Sequence, residues 1–405
     1  MSTRRTFLQT AALSAAATSL PSLRAAAAQV TSLQAASLQA ASSPALTRKG
    51  IIDLHSHWIG PTVVELLKKR TTAPFYTANE KGELILVTKG TRPTGKERPQ
   101  SSSWLDIDSR LSHLDEAGIQ HQVLAWAGAT YDGQISPEDA KPIWKAQNDD
   151  TSAIFRKYPS RFSGLATLPT SDPVAAAAEL DRAHTELGLF GAILPLDAFI
   201  SLEGARALAP IFVVAQKHRS HIFIHRGLAS TIVPGETTEA GATNTYFGLA
   251  ASDGPNERPK PVAGDDTTAR STLITNTHLA AGVITLALSD FLDAYPDVTV
   301  QIAMIGGSIP FVAEQIQFIE ENSGQPDTTQ RLRRLYYDTG FSGRGPRNIA
   351  FAAKVFGAER IVFGSDFGAM SSIVPWVAAV EQVELPSHEK ELIFAGNAKR
   401  ILARS

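Results

Sequence analysis

The chain has 405 residues, 43% of them hydrophobic and 19% charged, with 38 basic against 40 acidic side chains and a net charge of −2. That composition excludes a disordered or membrane-embedded chain, and without a basic tract or an acidic tail the expected partner is a small molecule, not nucleic acid or a membrane. Cysteine is absent, which excludes disulfides, thiolate zinc sites, iron–sulfur clusters and a Cys nucleophile; a metal would have to be held by His, Asp, Glu or backbone oxygen.

Residues 1–28 read as an export leader. Thr3-Arg4-Arg5-Thr6-Phe7-Leu8 resembles the twin-arginine consensus. An apolar run from Ala11 to Leu20 follows, then Pro21 and the small-residue stretch Ala25–Ala28, where cleavage after Ala28 fits the small-x-small pattern. The run is too short to span a bilayer. The implied partner is the twin-arginine export machinery and the implied location is the periplasm. Residues 29–49 hold Ser-Leu-Gln-Ala-Ala-Ser twice, at 32–37 and 37–42, and read as a low-complexity spacer. Residues 50–405 form the domain.

From Ile51 short apolar runs alternate with helix-like segments. Eight runs read as strands: Ile51–Trp58, His121–Trp126, Phe162–Leu168, Gly191–Leu196, His221–His225, Val298–Met304, Leu335–Thr339 and Ile361–Phe367. Helical patterns between them include Asp106–Ala117, Pro173–Leu187, Leu202–Lys217, Ile309–Glu321 and Asn348–Phe356. Eight strand–helix units imply an α/β fold with a parallel sheet closed as a (β/α)8 TIM barrel; an open doubly wound sheet is the alternative. No Gly-x-Gly-x-x-Gly follows the first strand, against dinucleotide binding. Two stretches exceed a minimal barrel and read as lid-like insertions. Tyr76–Ser103 suggests a small hairpin with Glu83–Val87 as a strand, and Thr231–Thr272 suggests a long polar loop after the fifth strand.

Residues two apart in a strand share a face, so His55 and His57 face one side of strand one near its C-terminal end, where barrel active sites form. His225 closes strand five and Asp366 closes strand eight. If the barrel closes, these ends converge, and imidazoles with a carboxylate suit a divalent ion, zinc first and manganese or iron also.

Ile52-Asp53-Leu54-His55-Ser56-His57 resembles the first-strand motif of the amidohydrolase superfamily. The branch it is most similar to is the amidohydrolase-related group of aminocarboxymuconate semialdehyde, resorcylate and carboxyvanillate decarboxylases. Arg110–Ile119, Arg161–Ala166, Gly306–Phe311 and Gly396–Arg400 extend the similarity over about Ile51 to Leu402. The resemblance implies His55, His57, His225 and Asp366 as ligands. Two metals would require a bridging Lys or Glu at the end of strand four, which here reads Ile193-Leu194-Pro195-Leu196; one metal follows. The implied substrates are small carboxylated aromatic or unsaturated acids, and a homodimer is implied as well.

One departure limits the functional expectation. The decarboxylase branch carries a proton-transferring His one or two residues before Gly-Gly, where this chain has Met304 and Ile305, neither of which transfers protons. Three readings stay open: decarboxylation with Asp366 or His278 as the acid/base group, hydrolysis of a lactone or ester by metal-assisted attack, or metal and ligand binding without turnover. Arg226, Arg92, Arg98 and Arg344 are candidates to pair with a substrate carboxylate, and Met304 would form a dry wall of the pocket.

The leader generates one prediction. Replacing Arg4 and Arg5 with Lys should trap the precursor in the cytoplasm, read by fractionation and immunoblotting; an unchanged periplasmic yield would overturn the twin-arginine reading.

Overall fold

Short runs with nearly continuous burial, such as Ile51–His57 and His221–His225, are the pattern of parallel strands covered on both faces. A computed structural model describes residues 48–87, 99–126, 135–226, 266–321, 327–341 and 345–404. The leader, all but the last two residues of the spacer, Arg92, Arg98, Arg344 and residues 231–265 of the expected lid loop lie outside the described residues.

The strands, in chain order, are β1 (Ile51–His57), β2 (Phe75–Ala78), β3 (Leu84–Val87), β4 (Ile119–Ala125), β5 (Phe162–Gly164), β6 (Ala166–Thr167), β7 (Gly191–Pro195), β8 (His221–His225), β9 (Thr299–Ile302), β10 (Tyr336–Asp338) and β11 (Ile361–Val362). β1, β4 and β5 pair in parallel, as do β6 through β11 in sequence order. β5 and β6 are two halves of the third barrel strand, linked to their neighbours by Leu165 N to Leu124 O at 3.0 Å and Phe190 N to Gly164 O at 3.3 Å. At the other junction Leu54 N donates to Phe363 O at 3.0 Å, Asp366 N to His55 O at 2.8 Å and His57 N to Phe367 O at 2.7 Å. These bonds join the eighth strand position to the first, giving the expected barrel. The β7–β8 pair depends on Gly191, where a Cβ would fall 1.8 Å from His221 O.

Elsewhere local chemistry sets the boundaries. The helix Ile107–Ala117 starts where the Asp106 side chain accepts from Asp108 N and Ser109 N, and ends at Gly118 with φ +72°. The expected helix Leu202–Lys217 is two, Leu202–Ala207 and Ala209–His218, because Pro210 has no N–H with which to continue the first helix and sits in the first turn of the second, where none is needed. Thr267–Thr272, expected as loop, opens the helix Thr267–Ala287, capped by Asp266 accepting from Ala269 N. Strand six, expected to run through Met304, stops at Ile302; Met304, Ile305, Gly306 and Gly307 all have positive φ, from +57° to +67°.

β2 and β3 form an antiparallel hairpin. It rests on a cluster that includes Ile59, Val63, Tyr76, Trp126 and Trp144, with Leu84, Leu86 and Trp104 packed against it. The hairpin thereby seats Trp104 beside the C-terminal end of β1.

Candidate metal centre

The barrel brings His55 and His57 from β1, His225 from β8 and Asp366 from just beyond β11 to one point. One ligand-type atom from each lies within 4.8 Å of all the others, and all four residues are buried. His55 Nε2 is 3.3 Å from His57 Nε2. Asp366 Oδ1 is 3.0 Å from His57 Nε2 and 3.3 Å from His55 Nε2, yet without hydrogen-bond geometry; it and His225 Nε2 are buried without a hydrogen-bond partner. Converging buried lone pairs are costly unless something neutralises them. Three imidazoles and a carboxylate around one point fit a single divalent ion. His225 Nδ1 donates to Arg226 O at 2.8 Å, leaving Nε2 as the ligand atom, and burial, aided by His57 and His55, holds its imidazolium well below the usual range. β7 ends in Ile193-Leu194-Pro195 with no bridging group for a second ion.

The support behind the ligands is polar and dry. Asp53, His55 and His57 alternate along β1 on the same face. The Asp53 carboxylate accepts from His55 N at 3.1 Å, Gln122 Nε2 at 2.7 Å, Ser365 N at 3.1 Å and Ser365 Oγ at 2.6 Å. It thereby fixes the residue before Asp366, which sits at φ +56°, a conformation costing roughly 1–2 kcal/mol for a non-glycine residue. Arg110, fully buried, donates to Gln122 Oε1 at 2.7 Å, Ser103 O at 2.6 Å and the His57 carbonyl, with its guanidinium 4.8 Å above the Phe367 ring. Burial lowers its pKa to about 9. The His57 ring lies nearly parallel to Trp104, centroids 5.5 Å apart. On the opposite side His55 Nδ1 lies 3.0 Å from Asp338 Oδ1.

Met304 is buried beside this group: its backbone N–H donates to Asp338 Oδ1 at 3.0 Å. His278 is placed on the helix Thr267–Ala287, half-buried, and is not among the converging ligands. That helix packs on the turn after β9, with Ser308 N donating to Asn276 O at 3.1 Å. Arg226 is exposed at the rim next to His225; Arg92, Arg98 and Arg344 are outside the described residues. A cavity of about 500 Å³ opens on the hairpin side, lined by residues that include Leu86, Gln100, Ser103, Trp104, Gly368 and Met370. Sequence reasoning missed Asp53, Arg110, Trp104 and Asp338. The first two stand inside the motifs that carried the resemblance; Asp338 carries no local signal beyond its place in a buried strand.

Fold and site together define a barrel metalloprotein with a mononuclear, nitrogen-rich centre at the C-terminal rim. The profile of the Amidohydrolase family matches residues 52–404, and the chain belongs to that family, among the metal-dependent hydrolases and carboxy-lyases of its superfamily. It is 24% identical over 330 residues to gamma-resorcylate decarboxylase of Polaromonas sp. (strain JS666), covering 79% of this chain and 94% of that one. It is 22% identical over 365 residues to 2-amino-3-carboxymuconate-6-semialdehyde decarboxylase of Dictyostelium discoideum, covering 87% and 91%. The solved dihydroxybenzoic acid decarboxylase of Polaromonas sp. JS666, with bound manganese and 2-nitroresorcinol, superposes with a TM-score of 0.63 at 20% identity, covering 88% and 97%; it shares the fold.

Two predictions follow from this geometry. Replacing His55 and His57 together with Ala should leave a folded barrel that retains little metal, checked by circular dichroism and elemental analysis; stoichiometric metal in the folded double variant would remove the assignment. The second concerns pH. Without metal, burial lowers the His55 pKa, but the carboxylates of Asp338 and Asp366 outweigh it and raise the group to about 10. A proton therefore competes with the ion below that pH, and apparent affinity should rise with pH, by up to roughly tenfold per unit for one displaced proton. Calorimetric titration with manganese at two pH values, in buffers of differing ionisation enthalpy, reads both slope and proton count.

Proposed function

We propose that the protein catalyses non-oxidative decarboxylation of a small carboxylated phenol or related unsaturated acid at one divalent ion. The observation that carries this reading is the buried three-imidazole, one-carboxylate cluster, in a chain whose relatives along most of their length are decarboxylases. Manganese is the first ion to test, since the solved dihydroxybenzoic acid decarboxylase holds it; the donor set suits zinc equally.

His55, His57, His225 and Asp366 would hold the ion. When bound, it supplies positive charge that orients and polarises a substrate carboxylate and an adjacent hydroxyl. The residues do the rest. Arg226 at the rim provides a cation for the incoming acid. Asp366 is the proton carrier. Burial pushes its carboxyl up, but His55 and His57 outweigh this and hold it below the usual carboxylate range, so it meets the substrate ionised. In this reading it takes the hydroxyl proton and returns it to the ring carbon that loses the carboxyl group. The electron pair of the breaking carbon–carbon bond stays on the ring, carbon dioxide leaves, and the new carbon–hydrogen bond closes the balance. Buried Met304 keeps this wall dry and contributes no proton. That same residue favours the second reading, hydrolysis of a lactone or ester, which relies less on a proton-transferring partner.

The test is turnover of 2,6-dihydroxybenzoate and 5-carboxyvanillate by manganese- and zinc-loaded protein, followed chromatographically, beside Met304→His and Ile305→His. Decarboxylation should occur in the unmodified chain and rise only in Met304→His, by as much as about 10²–10⁴-fold, the usual worth of general acid–base help. If neither form releases carbon dioxide while the loaded protein opens lactones, hydrolysis replaces decarboxylation.

A further inference from the structure

We infer that Asp338 is a positioning residue: it fixes His55 in its metal-binding orientation and ties that ligand to the left-handed turn that carries Met304. The inference rests on the metal centre, not on the choice between decarboxylation and hydrolysis.

Asp338 ends β10 and is wholly buried. Its carboxylate collects four donors from four places. Oδ1 lies 3.0 Å from His55 Nδ1 and accepts from Met304 N at 3.0 Å and Gly340 N at 2.8 Å; Oδ2 accepts from Gln301 Nε2 at 2.8 Å. An ionised carboxylate only accepts, so His55 must carry its hydrogen on Nδ1. The neutral ring then offers its lone pair at Nε2, the atom 3.3 Å from both His57 Nε2 and Asp366 Oδ1. A carboxylate behind a ligating imidazole also makes the ring a better donor. The other two ligand rings are held differently: His225 Nδ1 rests on a backbone carbonyl and His57 Nδ1 has no hydrogen-bond partner.

The surrounding backbone makes room for this pair. A Cβ at Gly340 would fall 2.6 Å from His55 Nδ1 and 2.8 Å from Asp338 Oδ1, and one at Gly364 would fall 2.7 Å from His55 Cβ and 3.1 Å from Asp338 Cβ. Both glycines have ordinary φ, so they answer to close approach, not to turn geometry. The oxygen that orients His55 also receives the amide of Met304, which opens a run of four residues at positive φ. One carboxylate therefore sets a metal ligand and the wall beside it.

Asp338→Asn keeps the size and one acceptor oxygen, and loses the charge. Asp338→Ala removes every acceptor. In calorimetric titration with manganese alone, Asp338→Asn should bind roughly 10–100-fold more weakly than the native chain, and Asp338→Ala more weakly again. Circular dichroism and thermal unfolding are read in parallel. A merely structural residue would lower the unfolding midpoint and leave the affinity of the folded protein unchanged; native affinity in folded Asp338→Ala overturns the inference. If Asp338→Ala does not fold, Asp338→Asn and the native chain decide. With zinc bound and histidine labelled with nitrogen-15, the native His55 signal, identified by its loss in His55→Gln, should show hydrogen on Nδ1 and metal on Nε2. Hydrogen on Nε2 overturns the assignment. A native chain that binds neither ion refutes the metal centre itself, a separate outcome.

Discussion

Four electron-rich atoms held within 4.8 Å of one another, away from water, are the constraint to which the rim of this barrel answers. Imidazole and carboxylate lone pairs aimed at one buried point repel one another and lose hydration, and a cation resolves both at once. The neighbouring polar groups face outward from that point. Asp53 grips the backbone before Asp366, Arg110 grips the carbonyl of His57, and Asp338 grips the far nitrogen of His55. Each leaves the inner atoms of the ligands for the ion.

The convergence of His55, His57, His225 and Asp366 was legible because strand chemistry is periodic. Two histidines two apart share a face, and strand ends meet once parallel units close, so four residues 311 positions apart at the extremes could be placed together from pattern alone. Asp338 was not legible: its partner His55 is 283 residues away, and only the register between β9, β10 and the barrel seam brings them together. Arg110 is fully buried, and nothing in its helical motif announces it: its Nη1 and Nη2 reach the amide oxygen of Gln122 and the carbonyls of Ser103 and His57. Thr267–Thr272 reads as loop by polarity, whereas the Asp266 cap makes it the first turns of a helix.

The expectation that strand six continues through Met304 failed for another reason. Glycines at 306 and 307 announce a turn, but left-handed backbone at Met304 and Ile305 has no sequence signature. It is an uncommon conformation for a side-chain-bearing residue and more so for a β-branched one. Its hydrogen bonds run from Met304 N to Asp338 Oδ1, from Gly306 N to Ala303 O and from Gly307 N to Met304 O. The turn puts a thioether side chain where the resemblance leads one to expect an imidazole. The departure is confined to chemistry: the four ligands converge without it.

The ladder between the eighth strand position and the first has a further meaning. Regular pairing of β11 covers only Ile361 and Val362 with β10, and the junction back to β1 is carried by individual bonds such as Asp366 N to His55 O. The ligands stand on both sides of this joint, His55 and His57 on one lip and Asp366 on the other, with His225 across the ring. An ion there acts as a clasp on a hoop. Whatever free energy it gains by binding the closed barrel over the open one is added to this joint by mass action, so the chemistry of the centre and the mechanical integrity of the ring share one fastening.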